Sequence, residues 1–280
     1  MYLAFDILLW TGLLFLLIGY LKDYKKHEFR IIGFILLGLF WITLTPYYLK
    51  IRDYFNALMV VGALPVFLYF GYHEYLSKRW DEDPAVMEFL AGSVSFAMLL
   101  YFGIQRVPIL SGFLIKVVAD QTTWITTILG YNFHAGSINY SGNPLWYRTT
   151  SEFIRVPIVG TNINIILSCT GLQAIAAASA LIWCTRASIG RKTKSLLILF
   201  PVVYIVNLLR NALVVYLVEE DMFSFAVAHN EIAKSLSVVV LIILMLVVFE
   251  ILPELYENII SALGLPKRRE KKESAEESDG

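Results

Sequence analysis

The chain has 280 residues, 58% of them hydrophobic and 16% charged, with a formal net charge of zero and a mean hydropathy of +0.64. So apolar a composition excludes a soluble globular domain, and the balanced charge excludes the basic footprint that nucleic-acid binding requires. Apolar runs of about 20 residues recur, the length a helix needs to cross a hydrocarbon core of roughly 30 Å, and the alternating pattern of a membrane barrel is missing.

The expected fold class is therefore all-α integral membrane, because backbone groups in lipid must be bonded internally. The first run covers 1–21. A secretory signal carries its basic residues ahead of the apolar stretch, whereas Lys22, Lys25, Lys26 and Arg30 follow it here, so 1–21 reads as a retained span. Further spans are expected over 31–49, 57–76 and 85–104. Over 107–133, Leu110, Phe113, Leu114, Val117, Val118, Ile125, Ile128 and Leu129 recur at helical spacing but are interrupted by Lys116, Asp120, Gln121, Thr122 and Thr123. That pattern suits an interfacial helix or a tilted span.

From 132 to 164 the chain turns polar and rich in Gly, Asn, Ser and Thr. A turn signal at 138–144 predicts a small hairpin, and Asn139-Tyr140-Ser141 forms a glycosylation sequon. Spans resume at 164–185, 195–218 and 232–255. The whole reads as one polytopic domain, 1–264. It is a bundle of seven or eight transmembrane helices with an extracellular Asn/Gly-rich loop, and a charged, disordered cytoplasmic tail occupies 265–280.

The distribution of Lys and Arg sets the orientation. With the amino terminus outside and 107–133 not crossing, inner segments carry Lys22, Lys25, Lys26, Arg30, Lys78, Arg79, Arg186, Arg191, Lys192, Lys194 and the five basic tail residues, fifteen in all. The outer segments carry seven: Lys50, Arg52, Arg106, Lys116, Arg148, Arg155 and Lys234. The excess runs in the positive-inside direction. The span over 164–185 then enters from outside, 195–218 exits and 232–255 re-enters.

Three residues on these last spans draw attention. Cys169 lies in the polar stretch Leu167-Ser168-Cys169-Thr170-Gly171-Leu172-Gln173, Arg210 is embedded in an apolar run beside Asn207 and Asn211, and His229 sits on the outer connection. At 1.5 Å per residue, Cys169 and Arg210 fall about 8 Å and about 12 Å below the outer ends of their helices. Alone, a membrane cysteine is more often a small apolar filler, and a surface histidine is as often solvated as catalytic. An arginine within a span costs several kcal/mol and faces a cavity or a partner. Cys184 would stand about 22 Å from Cys169 on one helix, too far for a disulfide.

Together the three types make chemical sense. The attacking form of cysteine is the thiolate, which needs a base or a positive charge nearby; His229 takes a proton and Arg210 holds negative charge on sulfur or on a tetrahedral intermediate. The thioacyl enzyme is then resolved by water or by an amine. No cofactor or metal is called for.

The Cys-Thr-Gly stretch at 169–171, the Asn-Leu-Leu-Arg-Asn box at 207–211, the Ala-His-Asn at 228–230 and the 41-residue interval from Cys169 to Arg210 resemble the signature of the exosortase/archaeosortase family. The resemblance is strongest over 165–255. It implies an integral-membrane cysteine transpeptidase of the cell membrane with its active site near the extracellular face. Such an enzyme cuts surface proteins that end in a Pro-Gly-Phe motif, a transmembrane helix and a basic tail, and transfers the new carboxyl end to a membrane lipid. By matching motif positions, Cys169 would be the nucleophile, Arg210 the charge stabiliser and His229 the third member, with Asn207, Asn211 and Thr170 in support. The competing class is a transporter or channel binding an anion at Arg210, against which stands the lack of an internal repeat.

Overall fold

The computed structural model describes residues 2–50, 53–140 and 154–268. Helices α1 (Tyr2–Leu21) and α2 (Lys26–Ile42) are followed by a short α3 (Thr45–Lys50), then α4 (Tyr54–Arg79), α5 (Ala85–Gln105) and α6 (Pro108–Ile128). Three short strands follow, β1 (His134–Ala135), β2 (Arg155–Val159) and β3 (Asn164–Ile166), before a 3-10 turn (Leu167–Thr170) opens α7 (Leu172–Cys184). Helix α8 (Ile189–Glu219) leads to a single turn, α9 (Phe225–Val227), which passes through a π-helical segment (Ala228–Ala233) into α10 (Lys234–Ile251), and α11 (Pro253–Leu263) ends the described helices.

Among the described residues, five helical stretches are long and apolar enough to cross a membrane: Lys26–Lys50, Tyr54–Arg79, Ala85–Gln105, Ile189–Glu219 and Phe225–Ile251. Phe5–Leu21 and Leu172–Cys184 are shorter apolar helices. With these stretches the chain is a multi-pass membrane protein; seven or eight full-length spans are not all present among the described residues. Lipid-facing surface is evident on α10, which buries Leu244 and Val248 but exposes Val238, Val239, Ile242, Ile243 and Leu246.

The span expected over 164–185 is not one helix. Its first part pairs as a strand because Ile163 and Ile165 alternate with Asn164, giving one buried face that a pleated strand accommodates better than a helix does. Gly171, in the left-handed region at φ 76°, then closes the 3-10 turn. Helix α7 is left with 13 residues, a rise of about 20 Å. Cys169 therefore stands in the turn that precedes the helix and not within it.

The sheet runs in the order β1-β2-β3, antiparallel throughout, with Val156 opposite Ile165 and Pro157 opposite Asn164. Its buried residues Val156, Ile158, Ile163 and Ile165 join Ile115, Val118 and Ala119 of α6 in one apolar cluster, which also holds Leu167 and Cys169. Helix α6 packs on the sheet, the 3-10 turn and α8. It turns Ser111, Gly112, Ala119, Thr122 and Thr126 inward and leaves Leu110, Phe113, Trp124 and Ile128 exposed. Half of the apolar stripe read from the sequence, Leu110, Phe113, Ile128 and Leu129, thus faces outward, while small and hydroxyl residues allow the close approach to the bundle.

A second cluster joins α1, α2, α4 and α5 around Leu16, Phe34, Leu37, Phe40 and Met87. Helices α1 and α2 meet closely at Gly33, where an added Cβ would lie 2.6 Å from Leu16 Cγ and 2.8 Å from the Leu16 backbone nitrogen. Gly33→Leu is expected to lower stability by about 1–3 kcal/mol through overpacking, read as an earlier unfolding midpoint in detergent. An unchanged midpoint would show that the helix pair tolerates a wider spacing.

A group of ion pairs ties helix ends together at one pole of the bundle. Arg30, only 2% exposed, donates from Nε to the Gly19 carbonyl at 2.8 Å and from Nη1 to Asp83 at 3.1 Å, and stands 3.5 Å from the fully buried Glu74. His27 and Glu74 are 2.6 Å apart. Arg186 pairs with Glu88, and Arg191 with Glu254, tying α5, α8 and α11 to the same end. Leu265 inserts into the core of α1, α2, α4 and α5, and Arg268 bonds Ser77 Oγ at 2.8 Å and Glu82 at 2.7 Å, so the expected tail is ordered at its start. The remaining tail (269–280), the turn positions 141–144, Ser141 of the sequon, Arg52 and Arg148 lie outside the described residues.

Candidate active site

At the other pole α8 presents two asparagines four residues apart, hence on one face. Asn207 Nδ2 and Asn211 Nδ2 both donate to the backbone carbonyl of Cys169, at 2.7 and 2.8 Å. The 3-10 turn is thereby clamped against α8. Gly171 makes the approach feasible, since a Cβ there would stand 3.2 Å from Cβ of Asn207. Thr170 secures the turn from within: its hydroxyl donates to the Leu167 carbonyl at 2.7 Å and accepts from the Leu172 amide at 3.4 Å.

The Cys169 side chain is buried among Leu167, Leu172 and Leu208. Its sulfur lies near the Ile166 backbone N–H and the Ser168 side chain and within the electrostatic reach of Arg210. The Arg210 guanidinium, 9% exposed, opens as a fork. Nη1 donates to Asn211 Oδ1 at 3.4 Å and Nη2 approaches His229 Nδ1, also at 3.4 Å. Arginine is always a donor, so this contact assigns Nδ1 of His229 as acceptor and places the ring proton on Nε2.

His229 owes its position to the π-helical segment, whose extra residue per turn shifts the helix register locally. Ala228 and Ala233 pack on Val214 and Leu217 of α8, while the His229 ring stacks on Phe225 with centroids 5.1 Å apart and planes at 12°. Cys169, Arg210 and His229 thus converge, but in series. Arg210 touches the surroundings of both others, and among the described residues His229 has no hydrogen bond to Cys169. Cys184 lies at the far end of α7, and both cysteines are free.

The wall around the site includes contacts with no motif signal. Tyr204 on α8 donates to Gln121 on α6, and Tyr131 donates to Glu220 at the end of α8. The bond to Glu220 pushes the Tyr131 phenol up to about 12, so it stays a donor through the neutral range. Phe225, four residues before His229, carries no motif signal. The backbone donor of Ile166 carries no sequence signal at all.

A family model described as transmembrane exosortase matches residues 2–249. The chain belongs to the transmembrane exosortase family. Two curated exosortase relatives are both named archaeosortase A. The one from Haloferax volcanii is 26% identical over 89% of this chain and 90% of its own, and the one from Natronomonas pharaonis is 22% identical over 93% and 89%. No solved structure matches the chain. Membership in the exosortase family makes it a membrane-embedded, sortase-like processing enzyme.

Proposed function

We propose that this exosortase is a cysteine transpeptidase that cleaves the carboxy-terminal sorting signal of secreted surface proteins and transfers the new end to a membrane lipid. The signal is a Pro-Gly-Phe motif, a transmembrane helix and a basic tail. The site pole faces the extracellular side of the cell membrane, in keeping with the excess of Lys and Arg on segments of the opposite pole.

Cys169 is the nucleophile. Its thiolate attacks the scissile carbonyl, and the negative charge passes from sulfur to the carbonyl oxygen. Arg210 serves both stages, since its planar fork carries a permanent charge and several donors. The amine leaving group departs with a proton from His229, leaving a thioester. The lipid acceptor attacks that thioester and gives its proton to the imidazole; the expelled thiolate then takes the same proton, which restores the thiol and the neutral ring. For His229 to take the thiol proton, the Nδ1 lone pair now facing Arg210 must be released, which substrate entry between guanidinium and ring accomplishes. Asn207, Asn211 and Thr170 hold the turn in place.

The observation that carries this reading is the clamp. Two asparagines fix the Cys169 carbonyl while Arg210, in the same box, reaches both the sulfur's surroundings and His229. The transporter alternative has no comparable support, since Arg210 is engaged by Asn211 and His229 and the exosortase match runs through 2–249. The test expresses Cys169→Ser and Cys169→Ala in cells supplied with a reporter bearing the three-part signal. Both variants are expected to leave it full length, at a rate lower by about 10³-fold or more. Continued shortening in either variant removes Cys169 from the reaction.

A further inference from the structure

The sheet beside the site has one edge whose polar groups point away from every strand among the described residues. On β2, the Arg155 carbonyl accepts from the Asn139 amide at 2.8 Å, and the Pro157 carbonyl accepts from the Gly136 amide at 2.8 Å, both on the β1 side. Ile158 donates to the Ile163 carbonyl at 3.0 Å, on the β3 side. Antiparallel pairing alternates in this way between bonded and non-bonded partners. Residues opposite Arg155 and Pro157 must then be non-bonded partners, and these are Ile166 and Asn164.

The backbone groups of Asn164 and Ile166 consequently face the outer edge of β3. Asn164 is exposed, and among the described residues no other strand pairs there. Ile166 caps the 3-10 turn, so its carbonyl serves that turn and only its N–H remains outward. That N–H stands at the start of the turn that carries Cys169, close to its sulfur. The free edge therefore runs directly into the thiol, with an N–H and a C=O at Asn164 and an N–H at Ile166 on offer.

Unpaired edges invite another strand, and proteins normally cover or charge them. This one carries neither Lys nor Pro on its outward positions, and it is continuous with the proposed site. The chemistry presented, alternating backbone donors and an acceptor, matches the backbone of an extended peptide and no lipid or ion. We propose that the outer edge of β3 receives the substrate as an added strand, pairing its extended segment with Asn164 and directing a carbonyl of that segment to the Ile166 N–H beside the Cys169 sulfur. The pairing reads backbone and not sequence, so selection among substrates falls on the side chains that flank the scissile bond. The Ile166 N–H then stands next to the attacked carbonyl as a second donor alongside Arg210. This rests on the thiol reading given above.

The experiment traps the pairing by disulfides. In a Cys169→Ala, Cys184→Ala background, Asn164→Cys is combined with reporters carrying one cysteine at successive positions before their transmembrane helix. Strand addition predicts cross-linking at alternate positions, because successive side chains of a strand point to opposite faces. A yield that is even along the segment, that repeats every three to four residues, or that is absent overturns the proposal. In the otherwise native protein, Asn164→Pro removes an outward donor without touching a bond to β2. It is expected to slow reporter processing about tenfold while the detergent unfolding midpoint is retained. Processing at the native rate by that variant counts against the proposal, and should its midpoint fall, the cross-linking pattern decides. If Cys169→Ala still shortens the reporter, the thiol reading fails by itself; if the thiol is essential and the pattern is not alternate, only the docking mode fails.

Discussion

In Arg210→Lys, processing of the three-part reporter is expected to fall about 10²–10³-fold, nearly as far as in Arg210→Ala. Charge alone would forecast a mild effect, since lysine keeps it. Geometry forecasts otherwise. One guanidinium nitrogen points at Asn211 Oδ1 and another at His229 Nδ1, each at 3.4 Å, while the same group sets the field at the Cys169 sulfur. An ammonium is a compact point charge that cannot span three partners, and at a forked site the exchange is not conservative. Both contacts are longer than a good hydrogen bond, so the fork is poised to tighten when negative charge develops rather than spent in the resting state. The measurement is a single-turnover rate in membranes, with the detergent unfolding midpoint as the control for folding. If lysine keeps the rate within about tenfold, permanent positive charge is the whole contribution and the fork is incidental.

The site was legible where chemistry forces a residue type, and illegible where backbone supplies the group. An arginine inside an apolar run is costly, so Arg210 announces itself, and the asparagines on one helical turn follow from spacing. Cys169 and His229 became informative only through their place along the chain and the box at 207–211. What the asparagines hold was not readable, because their target is a carbonyl, which every residue has. The same limit hid the Ile166 amide. On the fold, apolar length located the long helices well: 85–104 was expected and Ala85–Gln105 is observed.

The misreading at 164–185 has a definite cause. Ile163, Ile165, Ile166 and Leu167 add to the apolar count of a span, yet their alternation with Asn164 is a strand's period, and hydropathy averaged over a window cannot separate the two. For α6 the difficulty was opposite in kind. Two of the residues that interrupt its apolar stripe, Thr122 and Thr123, are buried against the bundle, while Leu110, Phe113, Ile128 and Leu129 of the stripe look outward. In a membrane the usual rule of polar outside and apolar inside loses its force, since lipid is as apolar as the core. The hairpin of β2 and β3 was missed because the Asn/Gly-rich composition of 132–164 masks two short alternating runs on either side of Gly160.

The asparagine clamp predicts non-additivity. Asn207→Ala and Asn211→Ala each remove one donor from the Cys169 carbonyl but leave it the other, so each is expected to slow processing by only about tenfold, the worth of one hydrogen bond. Asn211 also faces Arg210 Nη1, and its loss is expected to be the larger of the two. The double variant leaves a buried carbonyl without a donor, which adds a desolvation penalty of about 1–3 kcal/mol to the two lost bonds. A fall of about 10³-fold or more is expected, beyond the product of the single effects. Freed from α8, the turn also lets Leu167 and Leu172 loosen around the sulfur, so a membrane-permeant maleimide is expected to label Cys169 faster in the double variant than in either single one. Rate and labelling together distinguish a positioning role from a chemical one. If the single effects simply multiply and labelling stays at the native rate, the two amides act independently on something other than the turn, and the thiol is held by the Thr170 and Gly171 geometry alone.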